Sequence, residues 1–362
     1  MELIIDKSKW KKVRLGDVAF EYSKRINNPS ESEFDRFVGS SNIGQWDFRV
    51  NSWESTQSVS SAMKLFEPND YLLVRRSLYA SDFRERAPRA NFHGVCSGDI
   101  LTIKENSEFV SDGFLIGIFN SQDLWNYVVA NASGSITRRI KWRDLANYEF
   151  LLPPKEEQKK LAELLWAMDD VIEKEKRLLS NIEKLYFSKR KEIGKSGKSY
   201  KLKEIINLNY GKPLKNSDRI NGEYDVISSA GFQGKHNLFI SEGPGIVIGR
   251  KGNAGNVMWV ENNFWTIDTA YYVSLSEKFT NIPMKGLYHI LKNVDFKRDV
   301  TATAVPGLNR EDALNRKVLI PENKELLSFV SDFEKLTDTE NLILKKISFS
   351  QSLQKSLINQ IF

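Results

Sequence analysis

Cysteine occurs once in the 362 residues, as Cys96, and histidine three times, as His93, His236 and His289. One thiol excludes a disulfide framework and fits a reducing compartment, and the wide spacing of these four residues spells no zinc ligand set. No apolar run approaches the roughly 20 residues of a membrane-spanning helix, and Met1-Glu-Leu-Ile-Ile-Asp6 lacks the basic, apolar and small-residue order of a signal peptide. A soluble cytoplasmic protein is expected, with no structural metal. Nucleotide motifs are also missing. No Gly-Lys-Ser/Thr follows the glycines at 249–255, Gly211-Lys-Pro213 has proline where a magnesium-binding hydroxyl belongs, and no strand leads into Gly-x-Gly-x-x-Gly. Asp312, Glu322 and Lys324 do follow the Asp…Glu-x-Lys order of some metal-dependent nucleases, but acids are favoured in the first turn of any helix. The matched Pro154 and Glu156 do not keep the pattern. No catalytic residue is assigned.

What is present is a repeat. The stretch from Gly134 to Pro153 leads into a long charged segment, and the stretch from Ala302 to Pro321 does likewise, with Pro153 and Pro321 168 residues apart. The same shift superposes Asp144 on Asp312, Asn147 on Asn315, Leu185 on Leu353 and Ile193 on Ile361. The openings match at a different offset, Leu15 with Leu202, 187 residues apart, so the middle of the second copy is 19 residues shorter. Shared ends around divergent middles describe one scaffold carrying two differently tuned surfaces. A length of 362 residues with 41% apolar content accommodates two ordinary domains and a connecting element.

Segments Lys155 to Glu192 and Glu322 to Ile361 contain no internal proline or glycine and space their apolar residues as helices do. With Leu161 at heptad position a, that column continues through Met168 and Ile182; column d holds Leu164, Val171, Leu178 and Leu185; column e holds Leu165, Ile172 and Leu179. Because 168 is a multiple of seven, the second helix inherits the frame. Phe329, Leu336, Ile343 and Leu357 fall at a, Leu353 at d, and Phe333, Ile347 and Ile361 at e. Two matched amphipathic helices in one chain most simply pack on each other. With a, d and e all filled, the first carries a wider apolar band than a two-stranded seam uses, so another surface is expected to cover the excess. Lys155 to Glu192 spans 38 residues, about 57 Å at ~1.5 Å per residue, against ~34 Å per turn of DNA.

Lysine and arginine total 53 against 47 acids, a net charge of +6 that mildly favours a polyanionic partner. The most basic loop follows the apolar run Asp70 to Val74 and carries Arg75, Arg76, Arg84, Arg86 and Arg89; guanidinium forks suit phosphate and the guanine edge. Its counterpart after Gly245-Ile-Val-Ile-Gly249 carries Arg250, Lys251 and Asn253 among glycines that let the backbone approach a phosphate. Arg138, Arg139 and Lys141 before the first long helix, Thr301 and Thr303 before the second, and Lys235 complete the candidate contacts. A solvated surface loop, or a plain turn, explains each basic segment equally simply.

The run Leu151-Leu-Pro-Pro-Lys-Glu-Glu-Gln-Lys-Lys-Leu-Ala162 and the duplicated plan resemble the specificity (S) subunit of type I restriction-modification enzymes, over the whole length. The second copy departs, reading Pro321-Glu-Asn-Lys-Glu-Leu326 with no glutamine. The resemblance implies an α+β fold with two pseudo-repeated target recognition domains, residues 1–154 and 200–321. Two long antiparallel helices, 155–193 and 322–362, form a pseudo-twofold coiled-coil spacer, with a linker at 194–199. It further implies a noncatalytic DNA-recognition subunit in which each domain reads half of a bipartite target in double-stranded DNA. The helices set the gap and dock two modification (methyltransferase) subunits, and restriction subunits join. Methyl donor, ATP and magnesium then belong to the partners, and this chain carries no cofactor. The alternative is a coiled-coil interaction scaffold without DNA specificity.

Overall fold

The computed structural model describes residues 5–77, 83–135, 137–301 and 307–362. The chain divides into two units, residues 1–177 with 344–362 and residues 178–343.

In the first unit, strand Lys11–Arg14 pairs antiparallel with Glu149–Leu152, and a one-turn helix, Leu15–Val18, follows. Strands Ala19–Glu21, Ile100–Glu105 and Tyr71–Val74 form an antiparallel sheet with Ile100–Glu105 central. Tyr71 to Val74 is buried at every position, as its unbroken apolar run requires. A second, five-stranded sheet runs in the order Arg25–Ile26, Met63–Phe66, Gly94–Cys96, Arg36–Val38, Glu54–Ser55. Leu15, Tyr71, Phe114 and Phe119 share one core with Leu165, Leu357 and Ile361 of the long helices.

The second unit repeats the frame. Lys198–Lys201 pairs with Lys317–Ile320, helix Leu202–Ile205 follows, and Ile206–Tyr210, Ala270–Leu275 and Gly245–Gly249 form the equivalent sheet, extended by Val257–Val260. The strand takes Lys198 and Ser199, which the sequence assigns to a linker, because their backbone groups pair with Ile320 and Leu319. Tyr224–Ser228 is flanked by Gly231–His236 and Phe264–Thr266 in a second, smaller sheet. Ile193, Phe329 and Phe333 of the long helices enter this core.

The long helices span Lys155–Ile193 and Asn323–Ile361. They pack against each other and run antiparallel within each unit. In the first, Gln354 Nε2 donates to Leu165 O (3.4 Å) and Ser350 Oγ to Glu175 Oε2 (3.3 Å). In the second, Lys189 Nζ meets Asp332 Oδ2 at 2.7 Å and the Tyr186 and Phe333 rings stack.

The seam uses two of the three apolar columns. Leu165, Ile172, Ile182, Phe329, Phe333, Ile343, Leu357 and Ile361 are buried, and Leu161, Met168, Leu179, Leu336 and Ile347 are half-buried. Column d faces outward: Leu164 is 45% and Val171 48% exposed in the first unit, as are Leu178 (49%) and Leu185 (52%) in the second. Leu353 is 51% exposed. These five therefore stand outside the helix–helix packing that the heptad pattern assigns them. Positions a and e are adjacent on a straight helix and suffice for a two-helix contact, which leaves d turned away.

Candidate nucleic-acid interface

Each unit ends a buried strand, Tyr71–Val74 or Gly245–Gly249, in an arginine held by the same backbone clamp. Arg75 N–H donates to Asp99 O and Arg75 O accepts from Ile140 N–H, both at 3.0 Å; Arg250 N–H donates to Thr269 O and Arg250 O accepts from Leu308 N–H, both at 2.8 Å. Ile140 and Leu308 are repeat mates. The clamp fixes where each guanidinium starts, leaving the side-chain torsions to place its end.

In the first unit the strand end is widened by a short ladder in which Arg139 faces Arg76 and Arg138 faces Ser77. Asp99, unassigned in the sequence reading, sits between the cations, accepting from Arg76 Nη1 at 2.8 Å and from Arg139 Nε at 3.2 Å. Burial opposes its ionisation, but these hydrogen bonds and charges prevail and hold the carboxyl below its ordinary value. Arg138 donates from Nε and Nη2 to Ala132 O (3.1 and 2.7 Å). Lys141 is exposed and its carbonyl starts the helix Trp142–Leu145.

The remaining basic-loop residues separate. Arg84 is exposed and donates to Phe83 O. Arg86 is half-buried, reaching Ser40 O at 3.4 Å, and burial together with neighbouring Arg84 lowers its pKa. Arg89 is only 9% exposed: its guanidinium donates to Asn69 O and Asp112 and lies 3.5 Å from Glu105. Arg89 thus secures the inside of its unit, away from the surface the other arginines occupy.

In the second unit aromatic faces pack against the clamped arginine. The Arg250 guanidinium lies 4.9 Å from the Tyr210 ring centroid and 6.0 Å from that of Tyr271, and Nη1 donates to Asp268 O at 3.0 Å. Arg310 also lies near the Tyr210 ring (5.9 Å), with Nε donating to Leu208 O at 2.8 Å and Nη1 3.3 Å from Glu311 Oε1. The two arginines, the two tyrosines and exposed Lys251 line a cavity of about 560 Å³. The turn after Arg250 depends on Gly249, where a Cβ would fall 2.1 Å from Asn253 O, and on Gly252 at φ 73°. Asn253 projects from that turn, exposed.

Lys235 stands apart on the smaller sheet, 3.6 Å from Asp225 Oδ1. Thr301 belongs to a short strand paired with Gly307–Leu308, and Thr303 lies outside the described residues. Tyr210, Tyr271 and Arg310 carry no signal in the repeat: Arg310 aligns with Trp142 in the other copy, where no cation is repeated, and the two tyrosines lie in the divergent middle.

Among the described residues, no group of three or more His, Cys, Asp or Glu could hold a metal ion, and no helix is long and apolar enough to cross a membrane.

The family model for the type I restriction modification DNA specificity domain matches residues 7–184 and again 195–348. Among solved structures, the fold is similar to the S subunit of a type I restriction-modification system from M. genitalium, with a TM-score of 0.60 and 16% identity over 98% of this chain and 96% of that one. It is similar also to a chain from a structural study of complex assembly and conformational transition of the type I R-M system, at TM-score 0.60 and 14% identity, covering 97% of each. No curated protein matches the chain by sequence. With its two matched regions and duplicated frame, the chain belongs to the type I restriction-modification DNA specificity family, as a noncatalytic specificity subunit with two target recognition domains.

Proposed function

We propose that each unit reads one half of a bipartite, asymmetric target in double-stranded DNA. In this reading the long helices set the gap between the halves and dock two modification subunits, with restriction subunits joining in the cytoplasm. The observation that carries it is the repeated clamp, which delivers Arg75 and Arg250 from equivalent strand ends. A guanidinium rooted at a fixed backbone position suits phosphate or the O6/N7 edge of guanine. Recognition domains at 1–154 and 200–321 then supply separate contacts. Arg75, Arg76, Arg84, Arg86, Arg138, Arg139 and Lys141 serve the first half-site. Arg250, Lys251, Asn253, Lys235, Thr301 and Thr303 serve the second, joined by Arg310 and Tyr210. Arg89 acts by holding its loop. Phosphate contacts supply affinity that falls with salt, and base-edge contacts supply choice. The outward Leu164, Val171, Leu178 and Leu185 give apolar area to the modification subunits. Methyl donor, ATP and magnesium belong to those partners, so methyl transfer and cleavage take place outside this chain.

Methylome sequencing of a host carrying this chain with its modification subunit tests the reading, with a split methylated-adenine motif expected. Replacing residues 20–130 with those of a relative should change one half only. Adding seven residues to both long helices in register should widen the gap by about 10 Å, roughly three base pairs, with both halves intact. An unsplit motif, or a gap unmoved by the insertion, overturns it.

A further inference from the structure

In the first unit the chain covers part of its own long helix with an arginine. Arg49 Nε lies 2.7 Å from Asp169 Oδ2 and its Nη2 reaches Asp170, while the guanidinium stands 5.3 Å from the Trp166 ring centroid and Phe48 packs edge-on against the same ring. The repeat offset places Glu334, Thr337 and Asp338 of the second long helix at these three positions. In the second unit they line a groove of about 890 Å³, and no residue from 206–244, the shortened counterpart of the loop bearing Arg49, lines it.

The groove is acidic in a chain of net charge +6. Glu183, Glu334, Asp338 and Glu340 line it and make no ion pair among the described residues; of the two cations that also line it, Lys285 is matched by Glu261 at 3.2 Å, and Arg190 leaves the balance negative. A second observation points to a missing occupant. His289 lines the groove, is 5% exposed, stacks on Phe333 with centroids 3.7 Å apart, and has neither ring nitrogen hydrogen-bonded. Leaving a buried imidazole unmatched in this way is costly. Burial, reinforced by Arg190, Lys285 and Lys292, lowers the His289 pKa to about 3, so at neutral pH the ring is uncharged and offers an acceptor. Carboxylates at the rim, aromatic walls and a neutral acceptor within match a guanidinium on an apolar stem.

We propose that this groove seats an arginine-bearing segment of the modification subunit, which supplies to the second unit what Arg49 supplies to the first. The inference rests on the reading that modification subunits dock on the long helices.

The test uses the full chain and the purified modification subunit, with affinity and stoichiometry measured by calorimetry. Glu334→Lys combined with Asp338→Lys alters exposed positions only, and it should weaken binding at one of the two docking positions roughly tenfold or more while DNA affinity and helicity are kept. Thr337→Arg, which fills the groove with the chain's own cation, should weaken the same position. Wild-type affinity and stoichiometry in both variants overturn the proposal and leave the docking reading standing. If the unmodified chain binds no modification subunit, both fall. Self-association of the chain alone that the double variant abolishes would overturn it in favour of a second copy as occupant.

Discussion

The two units share a frame and differ in how they neutralise what the frame presents. In the first, Asp99 lies between Arg76 and Arg139, and Asp112 and Glu105 hold Arg89 inside. In the second, Arg250 and Arg310 lie against Tyr210, with Asp268 O accepting from Arg250 and Glu311 pairing with Arg310 at 3.3 Å. The motif at the start of each long helix differs in the same way. Gln158 is buried and fully used, donating to Pro153 O and Phe109 O and accepting from Ser111 N–H. Its repeat mate Leu326 instead packs where a Cβ on Gly286 would lie 2.4 Å away. One backbone plan thus tolerates polar or apolar solutions at matched positions, provided each buried polar atom finds a partner.

The comparison can be broken most forcefully at the cores. Phe333→Ala should destabilise the second unit by about 3–5 kcal/mol and Leu165→Ala the first by about 2–5 kcal/mol. Urea unfolding followed by hydrogen exchange locates each loss, and equal spreading over both units would contradict the division.

A smaller effect distinguishes the units by pH. Burial raises the Asp169 carboxyl to about 6 despite the attraction of Arg49, whereas its repeat mate is Thr337. A carboxyl whose folded pKa lies above its unfolded value binds more protons when folded, so stability falls as pH rises from about 4 to about 6 and then levels. The first unit should lose on the order of 2 kcal/mol across that window. Asp169→Asn should flatten the dependence, and thermal melts from pH 4 to pH 7 check it; an unchanged slope in the variant refutes the assignment.

The finest test addresses the surfaces. Arg250→Ala should cost roughly tenfold in affinity and relax discrimination in one half-site only, within the 1–3 kcal/mol expected of a base-reading arginine. Asp99→Ala should strengthen nonspecific binding and steepen the salt dependence by about one to two phosphate contacts as Arg76 and Arg139 are released. Anisotropy titrations at two salt concentrations separate these. An Arg250→Ala loss that is uniform across sequences would make that residue a phosphate contact.

Much of the frame was legible because it depends on periodicity. The strand pairs Lys11–Arg14 with Glu149–Leu152 and Lys198–Lys201 with Lys317–Ile320, and both 39-residue helices, fall at the offsets of 187 and 168 that the repeat shows. The candidate surface was legible only in part. A run of five arginines reads as one basic loop, yet the partners that divide it, Asp99 and Asp112, lie 23 residues away from Arg76 and Arg89.

By itself the sequence determined the duplication, the helix lengths and the apolar columns, since these follow from local spacing along the chain. Only the tertiary structure decided that columns a and e form the seam and d stays exposed, that Arg89 turns inward, and that Tyr210, Tyr271 and Arg310 join Arg250. Helix rotation, burial of charge and aromatic stacking depend on which distant segments meet, and no local spacing encodes that meeting.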